Sequence, residues 1–154
     1  MDIATRNDLV AQYAGGYQLV AEALAGARDA DLDRRPPDGS WTPRMVVHHM
    51  ADSEMTSALR VRRLIAEELP EIFGYPEETW AERVYYDRPI ELSLAAFEIA
   101  RASTVPILRR MTDAEWQREG IHDEIGRYTP EIWLEIYVNH AKDHAEQIRR
   151  ALGR

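Results

Sequence analysis

The chain has 154 residues, with 27 acidic against 19 basic side chains, a formal net charge of −8 and no cysteine. That length suits one domain able to bury a core without staples, so residues 1–154 are read as a single domain. The missing cysteine excludes disulfides, thiolate metal sites and a cysteine nucleophile, and the acidic balance opposes phosphate, so nucleic acid is not an expected partner.

The N-terminal stretch Met1 to Asp8 is acidic and polar, with no basic region leading into an apolar one. No signal peptide is expected, and no apolar run approaches the roughly 20 residues of a membrane span. A cytoplasmic protein that does not enter membranes is the expectation.

Helical periodicity first appears from about Asn7 to Ala25, where Leu9, Val10, Tyr13, Tyr17, Val20 and Leu24 form an apolar stripe. Gly15 and Gly16 interrupt it and predict a bend or a close helix contact. After a turn-rich segment around Pro36 to Ser40, a second helix is predicted from the cap Thr42 and Pro43 to about Glu68. A long connection, about Leu69 to Pro89, follows, with a short helical turn at Glu77 to Arg83. The third helix is predicted from Glu91 to Met111, kinked or broken at Pro106. Thr112 to Arg118 reads as another short turn, and His122 to Tyr128 as an exposed loop. Thr129 and Pro130 repeat the start signal of the second helix, and the fourth runs to Leu152 with Gly153 at its C-terminal cap. Four long helices without a strand pattern give an all-α fold, a four-helix bundle with a long connection between helices 2 and 3. Trp80, Trp116 and Trp133 are read as core or loop anchors.

His140 and His144 are four residues apart, on one helical face together with Trp133, Ile136, Tyr137 and Ile148. Two imidazoles at this spacing can share one metal ion. The zinc-protease pattern would need Glu directly after the first histidine, where this chain has Ala141. A third candidate lies on the second helix. His48 and His49 point about 100° apart, so only one can face the core. His49 shares a face with Met45, Val46 and Ser53, while His48 lies on the more polar row of Arg44 and Asp52 and could bond to Asp52. His49, His140 and His144 are therefore the expected ligands, with Asp52 and Asp143 as possible orienting carboxylates.

The segment Ser40-Trp-Thr-Pro-Arg-Met-Val-Val-His-His-Met-Ala-Asp-Ser-Glu54 resembles the second-helix motif of the DinB-like superfamily. Tyr137-Val-Asn-His-Ala-Lys-Asp-His144 resembles its last-helix H-x-x-x-H motif, and the resemblance spans nearly the whole chain. It is closest to the YfiT-like branch, described as metal-dependent hydrolases. It implies a four-helix bundle holding zinc or nickel on the second histidine of the His-His pair and on both of the H-x-x-x-H motif, which are His49, His140 and His144 here. The family's last helix is often richer in histidine; here Lys142 and Asp143 lie within the pair. The resemblance also implies dimers, so a homodimer is expected.

Three imidazoles leave a divalent ion its full charge and an open coordination position. Hydrolysis of a small ester, amide or related molecule is the first expectation. Activation of a low-molecular-weight thiol for transfer to an electrophile is the alternative that the resemblance implies. A non-enzymatic metal-binding stress-response bundle, its shell closed by Asp52, is the third.

Overall fold

The computed structural model describes residues 1–154. Four long helices form the bundle: α1 (Ile3–Leu24), α2 (Pro43–Ala66), α4 (Glu91–Leu108) and α6 (Pro130–Leu152). Between them lie two short helices, α3 (Glu77–Arg83) and α5 (Asp113–Trp116), and three short strands, β1 (Glu71–Ile72), β2 (Gly120–His122) and β3 (Gly126–Tyr128). Helix α1 packs mainly on α6 and α2 on α4, with α2 against α6 and α1 against α4 completing the ring. No helix is long and apolar enough to cross a membrane.

Capping chemistry sets the helix starts. The Thr42 and Thr129 hydroxyls accept from the backbone N–H of Met45 and Ile132, and a proline occupies the first helical position after each. Gly153 closes α6 in the left-handed conformation, at φ 76°. Helix α1 starts earlier than the expected Asn7, because the Asp2 carboxylate caps Thr5 N–H at 2.8 Å. Gly15 and Gly16 do not break α1. Gly16 instead admits Arg101 so closely that a Cβ there would lie 1.9 Å from its Nη1. Helix α4 passes through Pro106 but ends at Leu108, short of the expected Met111. Pro106 sits in the last turn, so the hydrogen bond it removes and the clash of its ring with the preceding turn fall where the helix is about to end rather than in its middle.

The loop expected at His122 to Tyr128 is a hairpin, and the strands are a correction to the expectation of none. β1 pairs parallel with β2 (Glu71 with Ile121, Ile72 with His122), and β2 pairs antiparallel with β3. The sheet joins the long connection after α2 to the segment before α6.

The core has two apolar halves. Tyr13, Val61, Leu64, Val105 and Trp133 belong to one, and Val20, Met50, Phe97, Ala141 and Ile148 to the other. Trp133 is wholly buried, and its indole N–H donates to Ser57 O at 3.0 Å, tying α6 to α2. Truncating so large a buried side chain typically costs about 3–5 kcal/mol. Where the halves meet, α2 contributes Glu54 and α4 contributes Arg101, both buried.

Candidate metal centre

The packing of α2 on α6 brings together the three histidines singled out from the sequence. His49 Nε2 lies 3.0 Å from His140 Nε2, which lies 3.1 Å from His144 Nε2. All three are candidate ligands by their mutual distances. His49 is buried, and His140 and His144 are half-buried. Burial, with the neighbouring His144 adding to it, pushes the His49 imidazolium down to about 3. Burial likewise holds His140 well below its ordinary value and lowers His144, the latter against an opposing bond from Gln147. All three are neutral near pH 7, the form that ligates metals.

The outer ring nitrogens show how the cluster is oriented. His49 Nδ1 lies 3.1 Å from the Tyr75 hydroxyl, and His144 Nδ1 lies 2.7 Å from Gln147 Oε1. Gln147 Oε1 can only accept, which assigns the hydrogen of His144 to Nδ1 and leaves its Nε2 lone pair facing the cluster. His140 Nδ1 is buried and has no partner. If His140 Nε2 donates to one neighbour, its Nδ1 is an unpaired acceptor; if Nε2 only accepts, Nδ1–H is an unpaired donor. Neither tautomer satisfies the cluster by itself, and a buried polar atom left unpaired costs about 1–3 kcal/mol. A cation between the three Nε2 atoms removes the conflict among their lone pairs. Tetrahedral coordination at zinc–nitrogen lengths needs nitrogen separations of about 3.3 Å, close to the 3.0 and 3.1 Å present. The residues fit a transition-metal ion.

Several sequence expectations change. The Asp52 carboxylate accepts from the Tyr86 hydroxyl at 2.7 Å, and the ring nitrogens it was expected to reach have other partners: His48 bonds Arg88 and Ser93, His49 bonds Tyr75 and His144 bonds Gln147. Asp143 is exposed and reaches His144 only through its charge. His48 is fully buried, because α2 is covered on two sides rather than one. Its Nε2–H donates to Arg88 O at 2.9 Å, and its Nδ1 accepts from Ser93 Oγ at 2.8 Å. His122, expected to be exposed, is only 3 % exposed, because its strand is pressed against the bundle. It lies near Asp123 and Glu124, but its Nδ1 already accepts from Glu124 N–H, and Asp123 Oδ1 accepts from Gly74 N–H. Those groups build the loop.

Sequence reasoning missed Tyr75 and Gln147. Gln147 is three residues after His144, and that spacing on a helix was a usable signal. Tyr75 comes from the long connection, where no periodicity announces it. Its ring packs 4.5 Å from that of Trp80 and holds the connection over the cluster. Trp41 sets its ring against His49, with centroids 5.0 Å apart, and donates to Glu78 Oε2 at 3.1 Å.

A cleft of about 520 Å³ opens beside His140. Ser53, Tyr75 and Tyr137 line it near the histidines, and Arg60, His122 and Tyr128 lie farther along.

Comparison with known proteins places these features in a group. Residues 12–148 match the family model described as the DinB superfamily. A "putative metal-dependent hydrolase" of Oceanobacillus iheyensis is 34 % identical over 131 residues, covering 85 % of this chain and 76 % of that protein. The "putative metal-dependent hydrolase YfiT" of Bacillus subtilis is 34 % identical over 129 residues, covering 82 % of this chain and 72 % of that one. A solved structure of Bacillus subtilis YfiT superposes with a TM-score of 0.89 at 28 % identity, over 99 % of this chain and 90 % of that chain. It is described as "a probable metal-dependent hydrolase with an unusual four-helix bundle topology".

Proposed function

This chain belongs to the DinB superfamily, in its YfiT-like branch, and from that premise we propose that it is a metal-dependent hydrolase of small molecules whose His49, His140 and His144 hold one zinc or nickel ion. The observation that carries this reading is the convergence of three neutral imidazole nitrogens with no carboxylate or thiolate beside them to complete a shell. Asp52, the carboxylate best placed in sequence to close it, is engaged by Tyr86. A bound ion would supply a Lewis acid that polarises an electrophile and makes water acidic enough to attack it near neutral pH.

The protein's own groups do the rest. Gln147 and Tyr75 hold the His144 and His49 rings with their Nε2 lone pairs turned inward. The apolar faces of Trp41 and Tyr137 limit water around the cluster. The cleft beside His140 gives a small substrate its approach. An open coordination position equally admits a thiolate, so the same centre supports thiol transfer as the alternative.

The test is metal analysis followed by parallel assays. Purified protein should hold about one zinc or nickel ion per chain, since these metals favour imidazole nitrogen. Loaded protein should hydrolyse a member of an ester and amide panel. Replacement of His140 and His144 together by Ala should abolish both metal and turnover. Full occupancy in that double variant would refute the ligand assignment. Turnover only with a thiol and an electrophile would replace hydrolysis by transfer.

A further inference from the structure

Arg60 lies on α2, about three turns after His49, and lines the cleft. It is the only Lys or Arg side chain lining the cleft. Nη1 donates to the Tyr137 hydroxyl at 3.0 Å and Nη2 to Phe73 O at 2.6 Å. A guanidinium has five N–H donors, so three are left over. Arg63, one turn on, is neutralised by Glu67 at 2.8 Å. Arg60 forms no ion pair: its partners are a hydroxyl and a carbonyl. Tyr137, which holds Arg60 by its hydroxyl, packs its ring 5.8 Å from the His140 ring. One aromatic ring therefore separates an unneutralised guanidinium from the histidine cluster.

We propose that Arg60 is a specificity-determining residue, which binds a carboxylate or equivalent monoanionic group of a substrate whose reacting end lies at the histidines. This rests on the reading of His49, His140 and His144 as a metal centre. Guanidinium and carboxylate match in geometry, and such charge-assisted pairs are about twice as strong as neutral hydrogen bonds. The Tyr137 and Phe73 contacts fix the guanidinium in advance, so little ordering remains to be done on binding. Glu77, Glu78 and Glu124 line the same cleft. Burial, reinforced by Glu124 and Glu78, pushes the Glu77 carboxyl up, while Arg60 opposes the shift. A ligand that is negative throughout would be repelled there. One that is negative at Arg60 and neutral or positive toward the acidic side matches both.

The experiment uses cobalt-loaded protein and two probe series, ω-mercaptocarboxylates of graded chain length and the ω-mercaptoalcohols of matching length. Binding is read from the visible cobalt spectrum as the thiol meets the metal. At the length that spans the cleft, the acid should bind at least about tenfold more tightly than its alcohol. Arg60→Gln should remove that preference and leave the alcohols unchanged, and Arg60→Lys should retain part of it. Equal binding of acid and alcohol at every length would overturn the proposal, as would the same preference in Arg60→Gln. Loss of both series alike in Arg60→Gln would mark Arg60 as structural and also overturn it. A cobalt spectrum that responds to neither series would instead refute the metal centre, and this inference with it.

Discussion

Two buried polar groups lie side by side between α2 and the helices it packs on, and their internal bonding differs. In one, the Arg101 Nε donates to Glu54 Oε2, Nη1 to Tyr13 O and Nη2 to Tyr137 O, each at 2.8 Å. The Tyr13 hydroxyl donates to the other Glu54 oxygen, and the guanidinium stacks over the Tyr13 and Phe97 rings. Burial pushes the Glu54 carboxyl up, while Arg101 and the Tyr13 and Ser57 hydroxyls oppose the shift. In the other group, His140 keeps a partnerless Nδ1 and three Nε2 atoms crowd together. The first is complete without any addition and fastens α1, α2, α4 and α6 to one another. In the second, three Nε2 atoms face one another, which an ion between them would relieve, while the His140 Nδ1–H would still lack a protein acceptor.

The contrast can be tested from its strongest consequence downward. Glu54→Ala should destabilise the fold by about 3–5 kcal/mol, because it strands the buried Arg101 charge. Glu54→Leu combined with Arg101→Met should recover most of that loss in a urea titration. If Glu54→Ala were neutral, the first group would not be the fastening described. Tyr75→Phe should leave the fold intact and weaken metal affinity by about 10- to 100-fold, since it deprives His49 Nδ1–H of its acceptor. Unchanged affinity in a chelator competition would remove Tyr75 from the site.

Acid separates the two groups more finely. The folded histidines bind protons less readily than the unfolded chain, whose histidines titrate near 6.5. Unfolding then takes up protons below that pH. Metal-free protein should have the full contribution above about pH 6.5 and lose it as pH falls toward 3, where folded His49 titrates. The slope should reach up to about 1.4 kcal/mol per pH unit for each histidine. Replacing His49, His140 and His144 by Gln together should reduce this slope, leaving the part due to His48 and His122, which burial also holds below their ordinary value. An equally steep slope in that variant would assign the acid sensitivity elsewhere.

How far each group was legible in the sequence follows from how it is encoded. The long helices announce themselves through Thr-Pro starts and apolar stripes, and the i, i+4 pair His140 and His144 is visible in a single helix. The Arg101 to Glu54 pair is not, because neither helix alone shows which charged residue turns inward. Gly16, read as a bend or a close contact, marks the space that Arg101 fills. Asp52 was misplaced because helical spacing gives its neighbours on α2 but cannot show Tyr86 arriving from a loop. The strands were missed because runs of two or three residues carry no measurable period.

The short parallel pairing of β1 with β2 bears on motion. Only a few backbone bonds hold the connection after α2 to the hairpin, among them Ile121 N–H to Pro70 O at 2.9 Å and Asp123 N–H to Ile72 O at 3.0 Å. These bonds link segments about 50 residues apart in the chain and cost far less to open than the helical core. Their amide hydrogens should exchange with solvent well before those of α2 and α6. Each such opening would loosen the connection that carries Tyr75, so the orientation of the His49 ring rests on a two-residue strand rather than on the helical core.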